Sequence, residues 1–213
     1  MRLIYRFTQF LMVLLFRLYF RLRVHGRGRV PKTGAVILAS NHASHLDPML
    51  VGAPVPRPSY YLARRTLFRP KWWGAILKAY GAIPLERDGS AMSAIRTALG
   101  LLDEAKCVVI FPEGTRSTDG ELREFKGGVG LLARKTKAAV VPVAILGSAD
   151  ALKRGSPIPR PVKITLHYGE PIRIADGESE EEFLARLREQ IEILRALGRK
   201  GSVSSNATRV AAA

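Results

Sequence analysis

The chain of 213 residues has one cysteine, and no aspartate or glutamate comes before Asp47. A lone thiol excludes an internal disulfide. Its position inside the apolar run Cys107-Val108-Val109-Ile110-Phe111 marks it as a small buried hydrophobe, which suits a reducing, cytosolic setting. Long uncharged apolar runs are also missing near the N-terminus: Phe7 to Phe16 is ten residues, whereas a helix crossing a bilayer needs about 20. A simple transmembrane helix is therefore disfavoured. Arg17 follows that run and no small-residue cleavage site does, which argues against a secretory signal. No G-x-S-x-G elbow is present to carry a nucleophilic serine. His25 and His167 stand alone, so the cluster of His42, His45 and Asp47 lacks the further ligands of a zinc site, and no metal is expected. There is no internal repeat and no RNA- or DNA-binding motif.

What is present is a hydrophobic content of 47%, enough to bury a sizeable core as one domain. Apolar runs alternate with amphipathic segments, which predicts an α/β fold: a single domain with a mixed, largely parallel sheet flanked by helices. Strands are expected at 35–39, 59–63, 82–85, 107–111, 138–146 and 162–168, the last alternating as an edge strand would. Helices are expected from Asp47-Pro48, with Asp as N-cap, and over 72–80, 90–106 and 129–135. Ser179-x-x-Glu182 forms a capping box for a last helix that should end at Leu197, with Gly198 as stop. The resulting division is an N-terminal helix in 1–23, the α/β domain in 24–200 and a disordered tail in 201–213.

Charge is unevenly spread. The formal net charge is +16, and residues 1–107 hold 17 Lys and Arg against 5 Asp and Glu, whereas 108–213 hold 17 against 13. The basic front end should be drawn to an anionic surface. On a helical wheel Arg2, Arg6, Gln9, Arg17 and Arg21 fall within an arc of about 120°, the rest being aliphatic and aromatic. This predicts an amphipathic helix in the membrane interface, holding the protein peripherally or monotopically on the cytoplasmic face of the cell membrane.

The chemistry concentrates in two stretches. Asn41-His42-Ala43-Ser44-His45-Leu46-Asp47-Pro48 follows an apolar strand, where open α/β sheets place ligand sites. On a straight helix His42 and Asp47 would lie about 140° apart, so they meet only if the loop between them curls back. The carboxylate would then fix the imidazole tautomer and leave the other nitrogen free to take a proton from a hydroxyl. Alone, the pattern reads more simply as a turn residue followed by a helix cap. A second strand opens into Pro112-Glu113-Gly114-Thr115-Arg116-Ser117, and Phe125-Lys126-Gly127-Gly128 then starts a helix whose N-terminus is a natural anion seat.

With NHxSxxD and FPEGTRS in this order, the sequence resembles the glycerolipid acyltransferases, of which the lysophosphatidic acid acyltransferases are one branch. Gly81-Ala82-Ile83-Pro84-Leu85-Glu86-Arg87 and Val141-Pro142-Val143 sit where that family has two shorter blocks, and the likeness runs from about Val24 to about Gly169. The resemblance implies transfer of a fatty acyl group from a thioester, carried by coenzyme A or acyl carrier protein as co-substrate, to the hydroxyl of a lysophospholipid. The acceptor is expected to be 1-acyl-sn-glycerol-3-phosphate, or another lysolipid, and no bound cofactor is required. His42 is the expected base and Asp47 its orienting partner. Arg87, Arg116 and Lys126 would supply positive charge to the phosphate. Glu113 would align Arg116 or accept a hydrogen bond from the glycerol, with Gly114 and Thr115 completing the loop. Ser44 is read as a loop-shaping hydroxyl. The rival from another class is a non-catalytic basic protein that binds membrane or nucleic acid, which explains the charge but not the two loaded loops.

Overall fold

The computed structural model describes residues 2–85, 91–117, 119–153, 156 and 158–210, with the side chains of 2–6 and 201–210 outside the description. Seven strands form one sheet: β1 (Arg23–His25), β2 (Val36–Ser40), β3 (Ser59–Arg64), β4 (Ala82–Leu85), β5 (Cys107–Ile110), β6 (Ala139–Leu146) and β7 (Thr165–Tyr168). Their spatial order is β1-β7-β6-β2-β5-β3-β4. All neighbours run parallel except β6 and β7. The expected mixed, largely parallel sheet is therefore observed. β7 is not the edge, because the three-residue β1 pairs outside it. A strand that short has no periodicity from which its partner could be read.

The central strands are apolar on both sides, as strands covered by helices on both faces must be. Val36 and Leu38 of β2, with Cys107 and Val109 of β5, face a core shared with α1 (Arg2–Tyr19), α2 (Asp47–Gly52) and α3 (Lys71–Ala79). Ile37 and Ala39, with Val108, face the opposite core, against α4 (Ala91–Asp103), α5 (Gly128–Thr136) and α7 (Glu180–Val210). A single turn of helix, α6 (Ser148–Ala151), follows β6.

The capping box forms as expected: Ser179 Oγ accepts the Glu182 N–H at 3.1 Å, and Glu182 Oε2 accepts the Ser179 N–H at 2.7 Å. The helix does not stop at Gly198; its backbone is helical to Val210. A Cβ at Gly198 would meet Leu146 Cδ1 at 2.6 Å and His167 Nε2 at 3.0 Å, so this glycine permits close packing of α7 on the sheet.

α1 docks on the body through Phe16, which is buried, and through Gln9, whose amide donates to the carbonyls of Ala53 and Val55 at 2.8 and 2.9 Å. Gln9 thus faces the protein, whereas Arg17, which the helical wheel puts on the same polar stripe, is exposed. The opposite face, Phe7, Phe10, Leu11, Leu14, Leu15 and Leu18, is exposed. No helix among the described residues is long and apolar enough to cross a membrane.

Candidate active site

Parallel pairing of β2 with β5, Val36 beside Cys107 and Ala39 beside Ile110, ends the two strands side by side. The two motif loops therefore emerge as neighbours. Ser117 N–H donates to the His42 carbonyl at 2.7 Å, and the His42 N–H donates to Glu113 Oε1 at 2.9 Å, so the backbone of His42 is held on both sides by the second motif.

The loop after β2 curls back as the spacing requires. His42 Nδ1 and Asp47 Oδ2 are 2.9 Å apart, and the same oxygen accepts the N–H groups of Ala43 and Ser44, each at 2.7 Å. Asp47 is therefore not the N-cap of α2 but a residue of its first turn, with its carboxylate directed back into the loop. It is fully buried, whereas the His42 side chain is 17% exposed. The anchored nitrogen is Nδ1, which leaves Nε2 as the atom that can exchange a proton. Phe111 stacks on the imidazole, centroids 3.9 Å apart and planes 19° from parallel, and so fixes the ring plane. Ser44 is buried, and its Oγ accepts the Leu46 N–H at 3.4 Å, in keeping with a loop-shaping role.

Two positioning residues are not evident from the sequence pattern. One is Phe111, hidden at the end of an apolar run and just beyond β5. The other is Asn41, buried, whose Nδ2 donates to the Ile145 carbonyl at 2.9 Å and whose Oδ1 accepts the Ile145 N–H at 2.8 Å. This side chain extends the β2–β6 ladder by one two-bond pair and aims the loop. A carboxamide suits the position because it offers a donor and an acceptor side by side, as a backbone residue does.

Glu113 does something other than face a substrate. It is 2% exposed, and its second oxygen accepts the Arg123 N–H at 3.2 Å, so it ties the two loops and the segment after them together. Gly114 has φ of 66°, and a Cβ there would meet Lys126 Cδ at 2.9 Å. Lys126 is thus laid across the motif turn, where its N–H also donates to the Pro112 carbonyl at 2.9 Å. Arg87 lies outside the described residues.

Beside the dyad is a cleft of about 300 Å³ whose lining includes Ala43, Thr115, Arg116, Asp150 and Lys153. Arg116 reaches the histidine loop electrostatically: partial burial first, and then the Arg116 charge, hold the His45 pKa below its ordinary value. Asp150 and Lys153 join this wall because β6 lies on the other side of β2, a neighbour relation that only the sheet order reveals. Among the described residues no group of three or more His, Cys, Asp or Glu is placed to hold a metal ion. A positioned imidazole–carboxylate pair, an apolar stacking partner and a cationic cleft can accept a proton from a hydroxyl held near an anion.

The chain is similar to known acyltransferases. The family model described as Acyltransferase matches residues 21–146. A 1-acyl-sn-glycerol-3-phosphate acyltransferase of Bacillus subtilis is 32% identical over 155 residues, covering 72% of this chain and 75% of that one. A protein of the same name from Cocos nucifera is 29% identical over 164 residues, covering 76% of this chain and 52% of that one. The crystal structure of the 1-acyl-sn-glycerophosphate acyltransferase PlsC from Thermotoga maritima superposes with a TM-score of 0.67 at 27% identity, covering 83% of this chain and 72% of that one.

Proposed function

This chain belongs to the glycerolipid acyltransferase family and is an O-acyltransferase, and we propose that it acylates the free hydroxyl of 1-acyl-sn-glycerol-3-phosphate from an acyl thioester of coenzyme A or acyl carrier protein. The observation that carries the reading is the His42–Asp47 pair opening beside a cleft lined by Arg116. His42 Nε2 takes the acceptor's hydroxyl proton as its oxygen attacks the thioester carbonyl. Collapse of the tetrahedral adduct expels the thiolate, which recovers the proton from the imidazolium, so an ester and a free thiol result. Asp47 holds the imidazolium in register and offsets its charge. A positioned base of this kind contributes about 10²–10⁴-fold in rate.

The guanidinium of Arg116 is a planar fork suited to two oxygens of a phosphate monoester, and Lys126, laid over Gly114, adds a second positive charge to the same loop. The long acyl chains call for a lipid surface. The exposed apolar face of α1 supplies contact with one, and exposed Trp72 and Ile76 on α3 continue the apolar surface, since Tyr80 at the end of α3 donates to the Thr8 carbonyl of α1 at 3.1 Å. With basic residues along the same N-terminal half, the attachment is peripheral, to an anionic leaflet.

Steady-state kinetics following free thiol, with lysophosphatidate, a choline-bearing lysophospholipid and an uncharged monoacylglycerol as acceptors, test the assignment. Lysophosphatidate should be preferred, and Arg116→Lys should raise its KM while changing the KM of the thioester much less. Use of the uncharged acceptor as readily as lysophosphatidate, together with an unchanged Arg116→Lys enzyme, would refute the phosphate site.

A further inference from the structure

The helix beyond the family match has its own connection to the site. α7 buries Phe183, Leu187 and Ile191 against the sheet, and beside that apolar stripe carries Arg188, Arg195 and Arg199, spaced by seven and four residues and so along one side of the helix. All three reach one short segment. Arg195 Nη2 donates to the Gly120 carbonyl and lies 3.7 Å from Glu121 Oε2. Arg199 Nη2 is 3.2 Å from Glu121 Oε1, and Arg188 Nη2 donates to the Leu122 carbonyl at 3.5 Å. Of the two arginines paired with Glu121, Arg195 is the buried one, its side chain 9% exposed against 58% for Arg199. Removing a guanidinium from such a place is far costlier than trimming an exposed pair.

The segment it grips leads straight into the site. The next residue, Arg123, gives its N–H to Glu113 Oε2, and Glu113 Oε1 holds the N–H of His42. Glu113 is also close enough to Arg195 for its charge to act on the guanidinium. We propose that Arg195 is a positioning residue for acyl transfer: by fixing Gly120 to Arg123 it keeps Glu113 in place to anchor the backbone of His42. The proposal rests on the reading of His42 as base. A displacement of about 1 Å in such a base costs on the order of 10²-fold in rate, so a contact made well away from the reacting atoms controls turnover through geometry alone.

The test compares Arg195→Ala and Arg195→Lys with Arg186→Ala, a control on the same helix that removes contacts to Glu178 at 2.8 Å and the Arg173 carbonyl at 2.9 Å. Amide hydrogen exchange is read at His42 and Arg123, alongside kcat, both KM values and Tm. In Arg195→Ala exchange at those two amides should quicken at least about tenfold while Ile37 to Ala39 stay protected, with kcat down about tenfold or more and the thioester KM within about twofold. Arg195→Lys should fall between wild type and Arg195→Ala. Arg186→Ala should leave kcat within about twofold whatever it does to Tm. If Arg195→Ala does not fold, Arg195→Lys carries the same measurements. Faster exchange confined to α7 with kcat unchanged would overturn the proposal, as would equal losses of kcat in Arg186→Ala and Arg195→Ala. A His42→Ala enzyme that stays active would remove the base assignment, whereas the exchange result at His42 does not depend on it.

Discussion

Asp47 and His42 are coupled through a single carboxylate oxygen: Oδ2 lies 2.9 Å from His42 Nδ1 and also gathers the N–H groups of Ala43 and Ser44. One atom thereby shapes the loop and orients the ring, and the two roles separate by mutation. In Asp47→Asn the amide oxygen can still accept from the loop, so the fold should hold while the imidazolium loses its counter-charge and kcat falls about 10²–10⁴-fold. In Asp47→Ala the same loss should be joined by a lower Tm, since each buried N–H left without its acceptor costs about 1–3 kcal/mol. Thermal melts and steady-state kinetics on both variants decide it; an Asp47→Asn enzyme with more than half of wild-type kcat would leave His42 without need of this partner.

The two faces of α1 should respond in opposite ways. Phe16→Ala opens the core and should cost about 3–5 kcal/mol of stability. Leu14→Glu with Leu18→Glu changes exposed positions, so Tm should barely move while binding to anionic vesicles drops at least tenfold, as each leucine forfeits its exposed share, 40% and 74%, of the ~1.5–3 kcal/mol that full burial gives. Sedimentation with vesicles and a melt on each variant read the contrast. Unchanged vesicle binding in the double glutamate variant would remove the lipid-facing role of this helix.

Acid should destabilise the protein partly through His167. Its ring stacks on His25 with centroids 4.6 Å apart, its Nε2 is buried with no hydrogen-bond partner among the described residues, and burial first, then the His25 charge, lower its pKa. A base with a depressed pKa in the folded state binds fewer protons there than when unfolded, so its contribution is complete above the unfolded value of about 6.5 and is lost as pH falls below it toward the folded value. His45, lowered likewise, acts in the same direction. Denaturant melts from pH 8 to pH 5 should show stability falling with acid, and His167→Gln should flatten that slope. An unaltered slope in the variant would mean that His167 is not a source of the dependence.

Cys107 should be silent toward thiol reagents in the native protein. Burial pushes its pKa up to about 12 and leaves no exposed sulfur. At pH 8 a chromogenic disulfide should register less than about a tenth of an equivalent per chain before denaturation and one afterwards. The consequence is practical, because thiol released from a thioester supplied in the acceptor assay can then be counted against a blank protein signal. Rapid labelling of the folded chain would contradict the buried placement.

The His42–Asp47 contact was legible because the two lie five positions apart on a loop that must turn, but that spacing alone also fits a turn residue and a helix cap, and only the second motif and the resemblance it completes pointed to base chemistry. Glu113 was legible as a chemically loaded residue, but its role was not. A glutamate beside an arginine reads as that arginine's aligner or as an acceptor for the glycerol hydroxyl, and only the approach of His42, 71 positions away, shows it holding a backbone N–H. Asn41 shows the same limit. Its partner Ile145 is 104 residues distant, and nothing local distinguishes an asparagine that bridges two strands from one that closes a turn. Gly198 was read through the habit of glycine at helix ends, whereas its lack of a side chain serves packing against Leu146. What the chain order alone conveyed was strands, helices and loaded loops; which loops became neighbours awaited the register of a parallel sheet.

That register also governs when the site comes into being. His42 and Glu113 follow strands joined by a long crossover through α2, β3, α3, β4 and α4, so although Asp47 curls the first loop from within, the bond from the His42 N–H to Glu113 waits for β5. During synthesis the histidine emerges long before its clasp, and a nascent chain stopped short of β5 lacks the Glu113 acceptor for the His42 N–H. Parallel pairings of this span form slowly, since loop closure must precede the contacts that reward it. The clasp on the proposed base is therefore complete only once β2 and β5 have paired.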